Sequence, residues 1–539
     1  MLITLLDGYT DEPSCLGVPP YIAPYARYIA GAIWDAGHEC QYMTIDDWRM
    51  GKEIKGNVLV ILAGALVPGR YLRGMPISFN EIRKITSLFR GIKILTGASA
   101  RYGIKVGDKF VEADFLFDYV AKEDGDAFLY DFLNGDVLQR RRTTDEWRRW
   151  SVEGSRVVRF HSDFPNTLIA EIETYRGCIR YFTGGCIFCM EPSFGKPAMR
   201  GEEDIIKEIK ALNTYGVKNF RLGCQSCFYS YKAKGIGRSE APEPNPDAIK
   251  RLLYGIKRSV NAKVLHIDNA NPAIISSHIE KARKITEMIV RYCTPGNTAA
   301  LGMESADEVV IKMNNLNATP QQVFDAVKMI NDVGKERGEN GMPYLLPGIN
   351  ILVGLKGERR ETFAKNFSFL KKLLDENLLV RRINIRQVVW LGKQKQRVDK
   401  TSFKKFKRKV NECINKQMLK KIVPEGTVLS SVFLEIKIGK KVFGRQIGSY
   451  PLLVCLPYER EINKFVDVKI VDHGYRSVTG VEYPLNINKA SMKSLECLPF
   501  IGSRRARRIL YNRPFKTFDE IKKYIDADIV EKISDWICL

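Results

Sequence analysis

Thirty residues, Glu171 to Arg200 (EIETYRGCIRYFTGGCIFCMEPSFGKPAMR), constrain this chain more than any other stretch. They carry Cys178, Cys186 and Cys189 in a C-x7-C-x2-C spacing, with Gly177, Gly184 and Gly185 around them. An apolar-alternating run, Thr167 to Glu173, leads in and reads as a strand. Three thiolates on one loop supply an iron–sulfur cluster with three of four protein ligands and leave one iron open. Zinc is the competing reading, but structural zinc sites are closed by four ligands. The loop holds no fourth Cys or His; the nearest histidine is His161, before the strand. Unligated core cysteines are the third possibility.

The chain has 539 residues, enough for three or four domains with their own cores. At 45% hydrophobic and 27% charged it has an ordinary globular composition. No apolar run approaches the roughly 20 residues needed to span a bilayer, so no membrane partner is expected. MLITLLDGY has neither a basic n-region nor a small-residue cleavage site, so a secretion signal is not expected. Twelve cysteines without that signal read as reduced thiols or metal ligands, and the expected compartment is the cytoplasm.

Charge supplies the second constraint. The net charge is +23, and the segment from Arg381 to Leu539 holds 34 basic against 16 acidic residues, a surplus of 18. The asymmetry points to a polyanionic partner for the C-terminal third. The alternative is a solubilising basic surface.

Strands and helices alternate over residues 1–135, which predicts a Rossmann-like α/β domain with a parallel sheet. Ligands of such sheets bind at the carboxyl ends of the strands, where the loops Asp7 to Pro20 and Leu66 to Ser78 lie. Residues 136–166 (RRRTTDEWRRW and its flanks) read as a basic linker, either in reach of the partner or a solvated helix face. Alternation resumes over 167–392 with five or six strands, predicting a complete or partial (β/α) barrel with working residues at its strand ends. Cys178, Gln225, Asp268, Glu304 and Glu358 fall there. Residues 393–423 read as a basic linker helix. Five short strands over 424–484 predict a small β-barrel of oligonucleotide-binding type, from which Lys437, Lys440, Lys441, Arg445, Lys469 and Arg476 would project. Residues 485–539 are helical, and the LPFIGSRRA turn would set backbone N–H groups at a helix start for phosphate. Arg504, Arg505, Arg507 and Arg508 flank that turn, so Lys440, Lys441, Arg445, Arg504, Arg505 and Arg508 are the expected nucleic-acid contacts.

The segment YRGCIRYFTGGCIFCMEP resembles the cluster loop of radical S-adenosylmethionine (SAM) enzymes, whose commonest spacing is C-x3-C-x2-C. LGMESADEVVIKMNN and PGINILVGLKGE resemble two further strands of that barrel, and RLGCQSC lies at a third strand end. The resemblance covers about residues 167–390. It implies a [4Fe–4S] cluster on Cys178, Cys186 and Cys189 whose open iron chelates SAM, a 5′-deoxyadenosyl radical that abstracts hydrogen, and an electron donor. It places Gly184, Gly185, Gln225, Glu304, Ser305, Gly354 and Glu358 about SAM. For the acidic residues a helix cap or barrel ion pair is the competing role.

The first domain resembles the cobalamin-binding-type domain that precedes many such barrels, but has no D-x-H-x-x-G motif for a histidine ligand. Cobalamin held without a protein ligand and a domain that has lost it both stay open. Residues 424–484 resemble the TRAM domain of tRNA methylthiotransferases. The tail resembles a helix-hairpin-helix module, with Phe500 where the first turn glycine usually stands. Cys224 and Cys227 form half a metal site and, with Cys15, could hold an auxiliary cluster; the alternative is two structural thiols.

These readings give three hypotheses. The first is a radical SAM enzyme that transfers a methyl or methylthio group to an unactivated carbon of RNA, specifically tRNA. The second is a radical methyltransferase acting on a protein or small molecule. The third is a non-catalytic nucleic-acid-binding protein with a structural metal.

Overall fold

The computed structural model describes residues 1–9, 21–64, 74–106, 109–390 and 399–539. The first domain is a five-stranded parallel sheet in the order Glu39–Thr44, Leu2–Asp7, Val58–Leu62, Ile92–Thr96, Tyr119–Val120. Both faces are covered, so alternate residues of one strand enter different cores: Ile3 and Leu5 pack with helix Pro24–Asp35, Leu6 with helix Phe79–Leu88.

The basic segment expected as a linker is instead an interior clamp. Helix Thr144–Glu153 lies against helix Pro24–Asp35 with Trp150 fully buried. The crossing is so close that a Cβ on Gly31 would sit 2.3 Å from the Trp150 carbonyl oxygen. Its arginines are consumed internally. Arg140 pairs with Asp131 and Glu146, and buried Arg142 pairs with Asp126 at 2.7 Å. One face of the helix is solvated, with Asp145, Arg148 and Arg149 exposed, while Glu146, Trp147 and Trp150 are buried on the other.

The second unit is an open barrel of six parallel strands. Ile169–Glu173, Asn219–Gly223 and Val264–Ile267 form one sheet. Asn269–Ala270, Asn297–Glu304, Leu345–Val353 and Arg382–Gln387 form the other. The third strand changes sheets at Asp268, pairing with Asn219–Gly223 before it and with Asn297–Glu304 after it. Ile22 pairs with Ala170 at the open edge, which ties the first domain to the barrel.

Helix Lys400–Val410 packs Phe406 edge-on against Phe363 of barrel helix Arg360–Asp375 and leads into a closed five-stranded β-barrel. Its strand order is Val428–Ile438, Lys441–Gln446, Leu453–Leu456, Ser477–Glu482, Lys464–His473. Lys440, on the turn between the first two strands, and Lys441, which opens the second, are exposed. Arg445, expected to project, is buried and grips Glu435 with two bonds of 2.8 and 3.1 Å. Lys469 is likewise buried, paired with Asp535, and Arg476 donates to the Ile383 carbonyl. Strand alternation does not turn Arg445 and Lys469 inward, since Lys469 lies between core residues Val468 and Ile470 and Arg445 stands opposite Phe433 and Leu453. Asp535 and Trp536 of the tail cover Lys469, and Glu435 on the neighbouring strand holds Arg445.

The tail forms short helices around its own core of Leu495, Ile509, Ile521 and Ile533. Ser491 and Thr517 cap two of them, and helix Ser503–Asn512 carries exposed Arg504 and Arg508. Arg505 is committed to Asp526 at 2.7 Å.

Candidate active site

The cysteine loop opens where strand Ile169–Glu173 ends, and its base is closed by pairing of Tyr175–Arg176 with Ala198–Met199. Gly177, Gly184 and Gly185 all have left-handed backbones (φ 99°, 79° and 61°), which glycine adopts without the strain of a Cβ. At Gly185 a Cβ would also meet Pro192 at 2.4 Å.

The loop is pinned from across the barrel by the residues that follow helix Glu308–Met313. Asn315 Nδ2 donates to the Gly185 carbonyl at 2.8 Å, and Ile187 N donates to the Asn314 carbonyl at 3.2 Å. Buried Arg180 donates to both oxygens of Asn315 at 3.0 Å and to Cys186 Sγ at 3.3 Å. Its own N–H donates to Cys178 Sγ at 3.4 Å.

Cys178, Cys186 and Cys189 line one cavity of about 620 Å³, with Cys224, Ser226 and Cys227 on the same wall. Burial, with Glu304 close by, pushes the Cys186 thiol up to about 12, against the pull of Arg180. A bound iron inverts that balance by favouring the thiolate. Among the described residues no three His, Cys, Asp or Glu side chains converge as on a single ion. The loop thiols instead stand around a common cavity, which fits a cubane cluster in which each thiolate takes a different iron.

The first domain closes this cavity. Leu62, Gly64, Thr96, Gly97, Ala98 and Arg101, at or just beyond the carboxyl ends of two of its strands, lie on the wall. That is the crevice where parallel sheets bind ligands. No histidine lines it, so the residues give no fit to a histidine-ligated cobalamin.

The residues expected about SAM separate into two groups. Glu304 lies on the cavity wall, at a register shift after Gly302 that leaves it with φ 62°. Gly184, Gly185, Gln225, Ser305, Gly354 and Glu358 lie off the wall and shape its frame. Gln225 is buried between Thr174 and the Leu222 carbonyl. Ser305 caps the next turn by accepting from Asp307 N. Glu358 accepts from Gly354 N at 2.8 Å, while Trp390 donates to the Gly354 carbonyl. Of the possible auxiliary set, Cys224 lines the cavity with φ 58°, and buried Cys227 accepts from Asn271 N at 3.2 Å. Cys15 lies outside the described residues.

Sequence reasoning missed Phe188, Arg180 and the Asn314–Asn315 pair. Phe188 joins Leu352, Val388 and Trp390 in an apolar cluster beside Cys186. The apolar residue between two cysteines was its only local signal. The asparagines carried none, because their partners are 130 residues away.

Residues 172–370 match the Radical SAM superfamily. Over nearly its whole length the chain is similar to the uncharacterized protein MJ0274 of Methanocaldococcus jannaschii, 47% identical over 88% of this chain and 92% of that one. An uncharacterized protein of Archaeoglobus fulgidus is 40% identical over 97% of each. At 22% identity the chain is similar to a tRNA-2-methylthio-N(6)-dimethylallyladenosine synthase of Bacillus cytotoxicus, over 63% of this chain and 62% of that one. A ribosomal protein uS12 methylthiotransferase, RimO of Clostridioides difficile, matches at the same identity over 41% and 45%. With three thiols of a cluster loop around one cavity, residues 172–370 are a radical SAM superfamily domain, and the chain as a whole belongs to one family with MJ0274 and the Archaeoglobus protein.

Proposed function

We propose that this enzyme modifies tRNA by radical transfer of a methyl or methylthio group to an unactivated carbon. The observation that carries the reading is Tyr450. It belongs to the closed β-barrel in the strongly basic third, yet it lines the cavity that holds the cluster cysteines. The C-terminal barrel and the reaction chamber are therefore one built unit.

Cys178, Cys186 and Cys189 would hold a [4Fe–4S] cluster, which together with SAM would supply one-electron radical chemistry. The chain's residues do the rest. Arg180 fixes the loop and its hydrogen bond to Cys186 tunes the cluster. Phe188, Leu352 and Val388 offer an apolar bed beside it, and Glu304 offers a carboxylate for hydroxyl or ammonium groups. The first domain's strand ends exclude water from above the thiols. An external electron donor completes the reading. No described helix is long and apolar enough to cross a membrane, and a cytoplasmic site of action fits this reading.

The test compares tRNA nucleosides, by mass spectrometry, from cells with and without the gene. Loss of one modified nucleoside is expected, and an unchanged profile sinks the reading. A second reading, radical methyl transfer to a protein or small molecule, draws on the burial of Arg445 and Lys469, which removes two basic groups from the barrel surface. It expects no salt-sensitive tRNA binding.

A further inference from the structure

The cavity continues past the thiols into the barrel interior, where strand register decides what faces it. Ala300, Gly348 and Arg382 stand side by side on one level, and Gly302, Asn350 and Asn384 on the next. All six line the cavity. Three of them carry little or no side chain. Glu304 Oε1 comes within 3.0 Å of where a Cβ on Gly302 would stand, so the low wall that leaves room for a flat group facing the other three runs over Ala300 and Gly348.

Those three are linked by donation that runs one way. Arg382 Nη2 donates to Asn384 Oδ1 at 3.4 Å, and Asn384 Nδ2 donates to Asn350 Oδ1 at 3.2 Å. The groups left over are N–H donors, on the Asn350 amide and on the remaining edge of the guanidinium. Arg382 has no carboxylate partner among the described residues. Asp268, on the same wall, is already committed to Arg221 and to the Tyr450 hydroxyl. The Arg382 guanidinium lies 4.9 Å from the Tyr450 ring centroid, which fixes its plane.

A half-buried cation without a counter-charge, beside amide donors and a smooth wall, favours a planar ligand rich in acceptors. Among nucleobases, guanine presents O6 and N7 together, the pair a guanidinium fork matches with two bonds. Adenine replaces O6 with a donor, and pyrimidines lack N7. We propose that the barrel interior around Arg382, Asn384 and Asn350 is the subsite for a guanine base flipped out of RNA. The inference rests on the RNA reading above and names the base that enters the cavity.

The test uses the full chain with its cluster reconstituted anaerobically. Binding of GMP, AMP, UMP, CMP and inorganic phosphate is measured by equilibrium dialysis, alongside bulk tRNA retention on filters. GMP is expected to bind about tenfold more tightly than the other three nucleotides. Arg382→Gln and Arg382→Lys should both erase that preference, the second because it keeps the charge and loses the fork. Ala300→Leu, which fills the smooth wall, should weaken GMP without touching the donors. Iron content and circular dichroism check that each variant is folded. Equal binding of all four nucleotides, phosphate competing as well as GMP, or preference unchanged in Arg382→Gln overturns the subsite. If tRNA is retained without any GMP preference, the subsite fails and the RNA reading stands. If GMP is preferred without tRNA retention, the subsite stands for a free guanine nucleotide and the RNA reading fails.

Discussion

The guanidinium of Arg180 lies 3.3 Å from Cys186 Sγ while holding both oxygens of Asn315, 135 residues away in sequence. One side chain thus fastens the cluster loop to the opposite strand-helix turn and points positive charge at a ligand sulfur. Hydrogen bonds to cluster sulfurs are a main determinant of reduction potential. Arg180→Leu is therefore expected to lower iron content per chain and shift the remaining cluster to more negative potential. Iron assay and potentiometric spectroscopy check both; wild-type values in the variant refute the role.

Single Ala substitutions at Cys178, Cys186 and Cys189 should each abolish reductive cleavage of SAM, because a cluster lacking one protein ligand is lost or loses its chelating geometry. Cys227→Ala, at a thiol bonded to Asn271 N, should leave iron content unchanged if the loop thiols hold the only cluster. About eight irons per wild-type chain in place of about four would instead establish a second cluster.

His266 couples the two barrels. Its Nδ1 accepts from Ser449 N at 3.2 Å, while Nε2 lies 3.3 Å from the Pro295 carbonyl, so the ring is needed neutral with its proton on Nε2. Burial lowers its pKa from 6.5 to about 4. A depressed folded value means the unfolded chain takes up the proton first. The stabilisation is complete above pH 6.5 and is lost as pH falls toward 4. At most it amounts to about 3 kcal/mol. The Tm of wild type should fall more steeply between pH 7 and 5 than that of His266→Asn; parallel curves would remove His266 as the cause.

The basic residues of the β-barrel should divide by burial. Arg445→Ala leaves Glu435 buried without its partner and is expected to cost about 3–5 kcal/mol. That change should lower Tm before it affects any RNA contact. Lys440→Ala with Lys441→Ala should leave Tm unchanged and reduce the salt dependence of tRNA binding, by about 2 in the log–log slope. Reversed behaviour of the two variants would place the nucleic-acid surface elsewhere.

What the sequence determined by itself was local in origin. Cysteine spacing carried the cluster loop, because Cys178, Cys186 and Cys189 serve one object within twelve residues. The 3.6- and 2-residue periods carried the alternation of strands and helices, and the cap at Ser491 was readable because a cap bonds its own helix. What only the tertiary structure decided depended on which way a side chain faces and on partners far along the chain. Arg445 and Arg142 read as surface charge until strand closure and helix crossing buried them against Glu435 and Asp126. Asn315 and Tyr450 carried no signal, since Asn315 works through Arg180 and Gly185 and Tyr450 through Asp268, each more than a hundred positions away. Arg382 became a binding group only when register set it across from Gly348 and Ala300, and the order of hydrogen bonds left its donors pointing into the cavity.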